Sequence, residues 1–151
     1  MSQLKVYTSY FGNYKNIPQE YQCISIANSK PKGLNIPTWK DVVPNWNNVK
    51  ALKEQSISAY EFMARYISDL TYDSPLRHFN YLEKYENKVD AVVLLCWEKD
   101  RSLCHRVILA DYLRTLGFDI EEYKSNCSND NSYSFIELLQ RYKNNVLQNN
   151  L

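Results

Sequence analysis

The 151 residues of the chain, 44% of them hydrophobic, suffice for one compact domain with a buried core and are too few to divide into two. The 18 Lys and Arg residues against 17 Asp and Glu give a net charge of +1, which excludes the strong positive field of a protein that holds duplex DNA mainly through phosphates. With neither a secretory signal pattern nor the roughly 20 apolar residues of a membrane span, we expect a cytoplasmic protein without membrane contact, whose four cysteines are reduced.

The first third of the sequence predicts two short strands and a long irregular segment. The strands cover Leu4 to Tyr10 and Tyr21 to Ala27, two apolar runs that are each followed by turn-forming residues. Residues 30–48 contain three prolines and two tryptophans without helical periodicity, which predicts an ordered loop. We expect Trp39 and Trp46 to hold this loop against the core rather than to line a ligand site.

Two helices are predicted next. Ser58 and Glu61 have the spacing of a capping box, in which the two side chains satisfy the first free backbone N–H groups of a helix. A second helix follows Pro75 and extends to Tyr85, with apolar residues at three- and four-residue steps. His78 lies near its start, where we expect a surface or capped residue without a catalytic role.

The stretch from Ala91 to Gly117 is the most informative part of the sequence. Val89 to Trp97 predicts a strand whose unbroken run AVVLLC is apolar on both faces, as expected for a parallel strand with helices in front and behind. A charged turn leads to a helix that Ser102 can cap and Gly117 ends, and Phe118 to Tyr123 predicts a last strand. This order predicts an α/β fold: a single Rossmann-like domain of three layers, with a mostly parallel short sheet flanked by helices.

The end of the sequence predicts a polar linker and one more helix. Cys127 to Tyr133 has no periodicity, whereas Ser134 and Glu137 form a second capping box that opens a helix through roughly Val146. We therefore assign residues 1–124 to the α/β domain and 125–151 to a linker and a C-terminal helix packed on the same domain. That helix is also a possible contact between copies of an oligomer.

The central stretch predicts a functional site at the carboxyl edge of the sheet, where open α/β sheets bind ligands. Cys96 and Glu98 belong to the strand end, and Cys104, His105 and Arg106 to the first turn of the next helix. Free N–H groups at a helix start attract anions, and an arginine there can bind a phosphate or carboxylate. The histidine is suited to acid/base catalysis near neutral pH.

The cysteines leave alternatives open. Cys96 can be the nucleophile of a thiol-dependent phosphatase, but four residues separate it from Arg101, one fewer than in the phosphatase signature. A sulfurtransferase loop has the right length, but this one is bulky, charged and without glycine. We expect no metal site because neighbouring helical residues such as Cys104 and His105 point about 100° apart, and we expect no cofactor. The remaining interpretation is that the cysteines are buried hydrophobic residues and that Arg106 pairs with an acidic residue of the turn.

The segment LLCWEKDRSLCHRVILADYL resembles the signature of the DUF488 family of uncharacterised small proteins, which typically read LLC-x-E, a short acidic turn and CHR opening a helix. The resemblance extends over about Lys5 to Tyr123 and implies an α/β fold with a shared polar site. Five residues match position by position: Cys96, Glu98, Cys104, His105 and Arg106.

The same resemblance bears on the substrate, since members of the family have been suspected of acting on nucleotides or nucleic acid. The commoner branch carries Asp-x-Arg after the second strand, whereas this chain has Ala27 to Lys30, ANSK, at that place. If the acidic residue does chemistry in relatives, this chain lacks it.

Together these observations predict a protein that binds a small anionic ligand, a nucleotide or other phosphate compound, and that acts as an enzyme on a nucleotide or nucleic-acid-derived substrate. A non-enzymatic binding, sequestering or inhibitor module is the alternative, and the sequence leaves open whether the chain is an enzyme. The predicted catalytic residues are His105 as acid/base, Glu98 as its partner or a sugar contact, and Cys96 for the thiol alternative. The predicted ligand-binding residues are Arg106, Cys104, Thr8, Ser9 and Tyr10.

Overall fold

The computed structural model describes residues 3–97 and 105–123, and these contain a four-stranded parallel sheet. Its strand order is β2-β3-β1-β4, so β3 and β1 are the inner strands. The register aligns Tyr10 with Cys96 and Thr8 with Glu122, which brings the carboxyl ends of β1, β3 and β4 to one edge. The strands are β1 (Lys5–Tyr10), β2 (Gln22–Ser25), β3 (Val92–Cys96) and β4 (Asp119–Glu122).

Four α-helices accompany this sheet within the described part of the chain and pack against the same core cluster: α1 (Trp46–Lys53), α2 (Ala59–Tyr72), α3 (Pro75–Glu83) and α4 (His105–Thr115). Short 3-10 helices cover Phe11–Asn16 and Lys40–Val42. None of the described helices is long and apolar enough to cross a membrane. The α/β fold predicted from the sequence is confirmed, while the linker and C-terminal helix predicted over residues 125–151 lie outside the described residues.

Helix α1 was not predicted, because residues 30–48 show no helical periodicity. The helix begins after Asn45, whose side-chain oxygen accepts a hydrogen bond from the N–H of Asn47 at 2.8 Å. None of its residues is fully buried, so it lacks the apolar stripe on which a prediction from periodicity depends. The expectation that both tryptophans anchor the loop holds for Trp39, which is buried and stacks on Tyr81, and is wrong for Trp46, which is 53% exposed on α1.

Helix α2 begins at the predicted cap. The Ser58 hydroxyl accepts a hydrogen bond from the N–H of Glu61 at 3.1 Å, which satisfies one of the free donors of the first turn. The Glu61 carboxylate pairs with Arg65 one turn further on, at 2.8 Å. The cap therefore forms through the serine, and the glutamate supports the helix by an ion pair along its surface.

The core consists of two clusters on opposite faces of the sheet. The larger one joins the sheet to α2, α3 and α4 through side chains such as Val6, Val92, Tyr66, Leu82 and Leu109. On the other face, the 3-10 helix after β1 and the segment up to residue 36 supply the described covering residues. The alternation of Val92 and Leu94 with Val93 and Leu95 between the two clusters explains why β3 is apolar at every position.

His78 is buried, so the expectation of a surface or capped residue is wrong. Its Nδ1 lies 2.8 Å from the Tyr112 hydroxyl, and its ring packs edge-on against both Tyr112 and Trp39. His78 is four residues before the buried Leu82 and therefore on the core face of α3. Burial lowers the pKa of His78, and this favours the neutral imidazole.

We predict that Tyr66→Phe lowers the free energy of unfolding by about 1–2 kcal/mol, because a buried hydrogen bond is lost. The Tyr66 hydroxyl donates to the Val42 carbonyl at 2.6 Å inside the core. Urea denaturation measures the effect. The control is Tyr72→Phe on the same helix, where the side chain is 91% exposed and we expect a change below about 0.5 kcal/mol. Equal effects of the two substitutions would contradict this role of Tyr66.

Candidate functional site

The first two residues of α4 point to different halves of the carboxyl edge. Arg106 contacts β1 and β4, whereas His105 contacts the chain directly after β2. Consecutive residues of a helix are rotated by about 100°, so neighbours in sequence reach opposite sides of the strand that precedes the helix. The single site predicted from the sequence is therefore divided into an arginine half and a histidine half.

Arg106 is fully buried and holds Glu122 with two hydrogen bonds. Its Nε and Nη2 each lie 3.1 Å from a carboxylate oxygen, and its Nη1 donates to the sulfur of Cys96 at 3.1 Å. The Thr8 hydroxyl also donates to Glu122, at 2.7 Å, and the Tyr10 ring lies 6.0 Å from the guanidinium carbon. A bidentate pair with these further bonds compensates for the cost of burying two charges.

Glu122 was not singled out from the sequence. One expectation from the sequence was that Arg106 pairs with an acidic residue of the turn after β3. Its described partner is instead Glu122, the last residue of β4. The sequence contained one signal for Glu122, namely its position near the end of the last predicted strand. In a parallel sheet this strand ends at the same edge as the other strands. Glu98 and Cys104 lie outside the described residues, so their predicted roles stay predictions.

The sulfur of Cys96 is fully buried and disulfide-bonded, so the expectation of reduced thiols is wrong for this cysteine. Cys23 is a free thiol, and burial raises its pKa to about 11. A disulfide sulfur has no thiolate with which to attack, and a thiol with so high a pKa stays protonated near neutral pH. Neither cysteine is a nucleophile in the state that the structure describes.

The residues at the end of β1 form part of the packed edge. Ser9 is buried, and its hydroxyl accepts a hydrogen bond from Asn13 at 3.0 Å. The Asn13 amide also reaches the Tyr123 carbonyl at 3.3 Å, and the Thr8 carbonyl accepts from the Tyr123 N–H at 2.8 Å. Of the three predicted wall residues, Thr8 and Ser9 thus connect β1 to its neighbours, while Tyr10 is half-buried beside Arg106.

His105 occupies the other half of the edge and is 7% exposed. Its Nε2 lies 2.8 Å from the Ile26 carbonyl oxygen, and its ring meets Tyr66 edge-on with centroids 5.2 Å apart. A carbonyl oxygen only accepts, so this bond assigns the proton to Nε2 and leaves a lone pair on Nδ1. Among the described residues, no hydrogen bond reaches Nδ1.

The charge state of His105 follows from its surroundings. Burial lowers its pKa to about 4, the Ile26 carbonyl opposes this shift, and the positive charge of Arg106 adds to it. The ring is therefore neutral at physiological pH. The predicted general acid/base would have a pKa near 7, so this environment makes the ring a hydrogen-bonding group rather than a proton donor.

A cavity of about 320 Å³ lies beside His105. It is framed by the segment after β2, the segment before α1, α1 itself and the end of β3. Residues 27–29, directly after β2, are part of its wall. Other lining side chains are Trp46, Lys53, Phe62 and Trp97.

Two indole rings line this cavity, and they are held differently. Trp97 directly follows β3; its Nε1 donates to the Ser29 carbonyl at 2.9 Å, and its ring packs edge-on against Phe11. Trp46 lies on α1, with Lys53 Nζ 5.6 Å from its ring centre. Both rings are about half exposed, at 48% and 53%. The cavity therefore combines aromatic surface with one nearby cation.

Within residues 3–97 and 105–123, no three His, Cys, Asp or Glu side chains are grouped as metal ligands. The chemistry of the described site thus depends on its aromatic rings, on His105 and on charged side chains.

We predict that Glu122→Gln lowers the free energy of unfolding by about 3 kcal/mol or more, because the buried charge of Arg106 then loses the Glu122 carboxylate. Chemical denaturation measures this. Glu121→Gln, one residue earlier on an exposed side chain, is the control, with an expected change below about 0.5 kcal/mol. A double variant, Arg106→Met with Glu122→Leu, should be more stable than Glu122→Gln. A Glu122→Gln protein as stable as the control would contradict the role of this pair.

We predict that His105 makes folding less favourable in mild acid. The unfolded side chain, with a pKa of about 6.5, takes up a proton that the folded one excludes down to about pH 4, so stability is lost as the pH falls through this window. The maximum loss is on the order of 3 kcal/mol. Urea denaturation at a series of pH values should show that the free energy of unfolding falls less steeply with decreasing pH in His105→Gln than in the wild-type chain. His78 is present in both proteins. A His105 ring that titrates above pH 6 by NMR would contradict this.

Comparison with known proteins identifies the family. The family model DUF488-N3a, described as the active DUF488-N3 subclade, matches residues 9–117. No match was found among curated proteins or among solved structures. The matched segment includes His105, Arg106 and the residues that line the cavity, and ends before Glu122. Because the match covers most of the sequence, this chain belongs to the DUF488 family, in its DUF488-N3a subclade.

Proposed function

We propose that the chain binds a nucleotide in the cavity beside His105 and acts as an enzyme on this nucleotide or on a nucleic-acid-derived substrate. The observation that carries the proposal is a cavity with two half-exposed indole rings, at the sheet edge where α/β proteins bind their ligands. The ligand class is the one predicted from the sequence, and we propose a different position for its anionic part.

The size and lining of the cavity suit a flat ring. Ligand cavities in proteins measure about 300–1,000 Å³, so a volume of about 320 Å³ favours a group of the size of one base with its sugar. Indole rings bind bases through stacking, which tolerates different bases because each has a π-face. The hydrogen bond from Trp97 to Ser29 holds one of the two rings in place before a ligand arrives.

Lys53 is the best-placed described cation for the phosphate. Arg106, the residue assigned to the anion from sequence, has its guanidinium engaged by Glu122 and is fully buried. Among the described side chains that line the cavity, Lys53 carries the positive charge, because His105 is neutral. A lysine beside a cavity attracts phosphate as a point charge. Because its ammonium group is exposed, it loses little hydration free energy when the phosphate binds.

The description of the matching subclade as active supports an enzyme. The buried pair of Arg106 and Glu122 favours the second candidate, a non-enzymatic binding module, because an arginine closed by its own carboxylate serves the scaffold. The thiol alternative has the weakest support, since Cys96 is buried and disulfide-bonded.

We predict that the wild-type chain binds at least one member of a panel of nucleoside monophosphates, seen by calorimetry and by quenching of tryptophan fluorescence. Trp39 is buried and is not among the residues that line the cavity, so the quenching reports on Trp46 and Trp97. Lys53→Met should weaken monophosphate binding about tenfold, or about 1.4 kcal/mol, and leave nucleoside binding unchanged.

The matched control is Lys50→Met, which removes the same charge from α1 at a position outside the cavity lining. If no panel member binds the wild-type chain, the proposal is wrong. Incubation of the bound nucleotide followed by chromatography then separates the two candidates: a changed nucleotide supports the enzyme, and an unchanged one supports the binding module.

A further inference from the structure

The cavity contains one polar group that is held in a fixed orientation and has no described partner. This group is Nδ1 of His105, whose other ring nitrogen is engaged by the Ile26 carbonyl at 2.8 Å. The side chain is buried to more than nine-tenths and lines the cavity. A polar atom without a described partner, on a buried side chain that lines a cavity, points to a hydrogen bond that the ligand completes.

The surrounding residues fix the orientation of the His105 ring. The Ile26 carbonyl is itself fixed, because the Ile26 N–H donates to the Leu95 carbonyl at 3.0 Å and extends the pairing of β2 with β3. Tyr66 packs edge-on against the imidazole, and its hydroxyl is held by the Val42 carbonyl at 2.6 Å. The ring can therefore neither turn over nor exchange its nitrogens without breaking a buried hydrogen bond.

The same contacts decide whether Nδ1 donates or accepts a hydrogen bond. With its proton on Nε2, a neutral imidazole has a lone pair on Nδ1 and only accepts there. Protonation would make Nδ1 a donor, but burial of the ring opposes it, and so does the positive charge of Arg106, the next residue. His105 thus offers its ligand an acceptor and no donor.

We infer that His105 is a specificity-determining residue of the nucleotide site, whose Nδ1 accepts a hydrogen bond from an N–H group on the edge of the base. The inference rests on the proposed function and narrows its substrate class to nucleotides whose base carries an N–H donor. A base that presents no donor fills the cavity and leaves this acceptor unpaired, which weakens binding about tenfold or more.

The test compares purine ribonucleotides of nearly equal size. Adenosine monophosphate has an amino N–H, inosine monophosphate has a ring N–H, and purine riboside monophosphate has no N–H on its base. Calorimetry on the wild-type chain should show that the tighter of the first two binds at least about tenfold better than the third, a difference of about 1.4 kcal/mol.

Two variants locate the cause of this selectivity. His105→Gln places an amide N–H at the position of Nε2, so the hydrogen bond to the Ile26 carbonyl is kept. The glutamine has no acceptor at the position of Nδ1. We expect the tenfold preference to disappear in this variant. Lys53→Met should weaken the binding of all three nucleotides equally and keep the preference, because the charge of Lys53 acts on the phosphate that all three share.

A measurement on the unmodified chain keeps the test independent of how well the variant folds. The nitrogen-15 resonance of Nδ1 should move in the direction of an accepted hydrogen bond when adenosine monophosphate is added, and remain in place with purine riboside monophosphate. Binding of none of the three nucleotides, nor of any panel member, contradicts the proposed function. Equal binding of all three by the wild-type chain, or a preference that persists in His105→Gln, overturns the role of His105 and leaves the nucleotide site intact.

Discussion

The buried pair between Arg106 and Glu122 is the contact on which the carboxyl edge depends. It joins the start of α4 to the end of β4, and Thr8 and Cys96 complete its hydrogen bonds from β1 and β3. Burying two charges is expensive, and the bidentate geometry with these neighbours makes the pair tolerable. Its main consequence is positional, because a helix whose second residue is clamped toward β4 directs its first residue to the other side of the edge.

That constraint produces an edge with two unlike halves. The arginine half is closed, and its charges are compensated inside the protein. The histidine half opens into a cavity with two half-exposed indole rings, and there burial and the charge of Arg106 together keep His105 neutral. Two adjacent residues of one motif therefore lie in different surroundings: one positions the helix, and the other lines the cavity.

The segment after β2 forms one wall of the cavity. Residues 27–29 belong to this wall: Asn28 donates to the Pro44 carbonyl at 3.1 Å, and Ser29 anchors Trp97. Uncharged groups at this place connect the segment after β2 to the segment before α1. The wall is thus built from hydrogen bonds and aromatic surface, which is suited to the flat part of a ligand more than to its charge.

The sequence by itself determined the parallel strands, helices α2, α3 and α4, and the edge where the site lies, because periodicity, caps and turn residues act over a few neighbouring positions. It also identified His105 and Arg106 as residues of interest. The tertiary structure decided their partners: Glu122 is sixteen residues from Arg106, and Ile26 is seventy-nine from His105. It likewise decided that His78 is buried and Trp46 exposed. Such outcomes depend on which surfaces the folded chain brings together, and no local pattern contains that information.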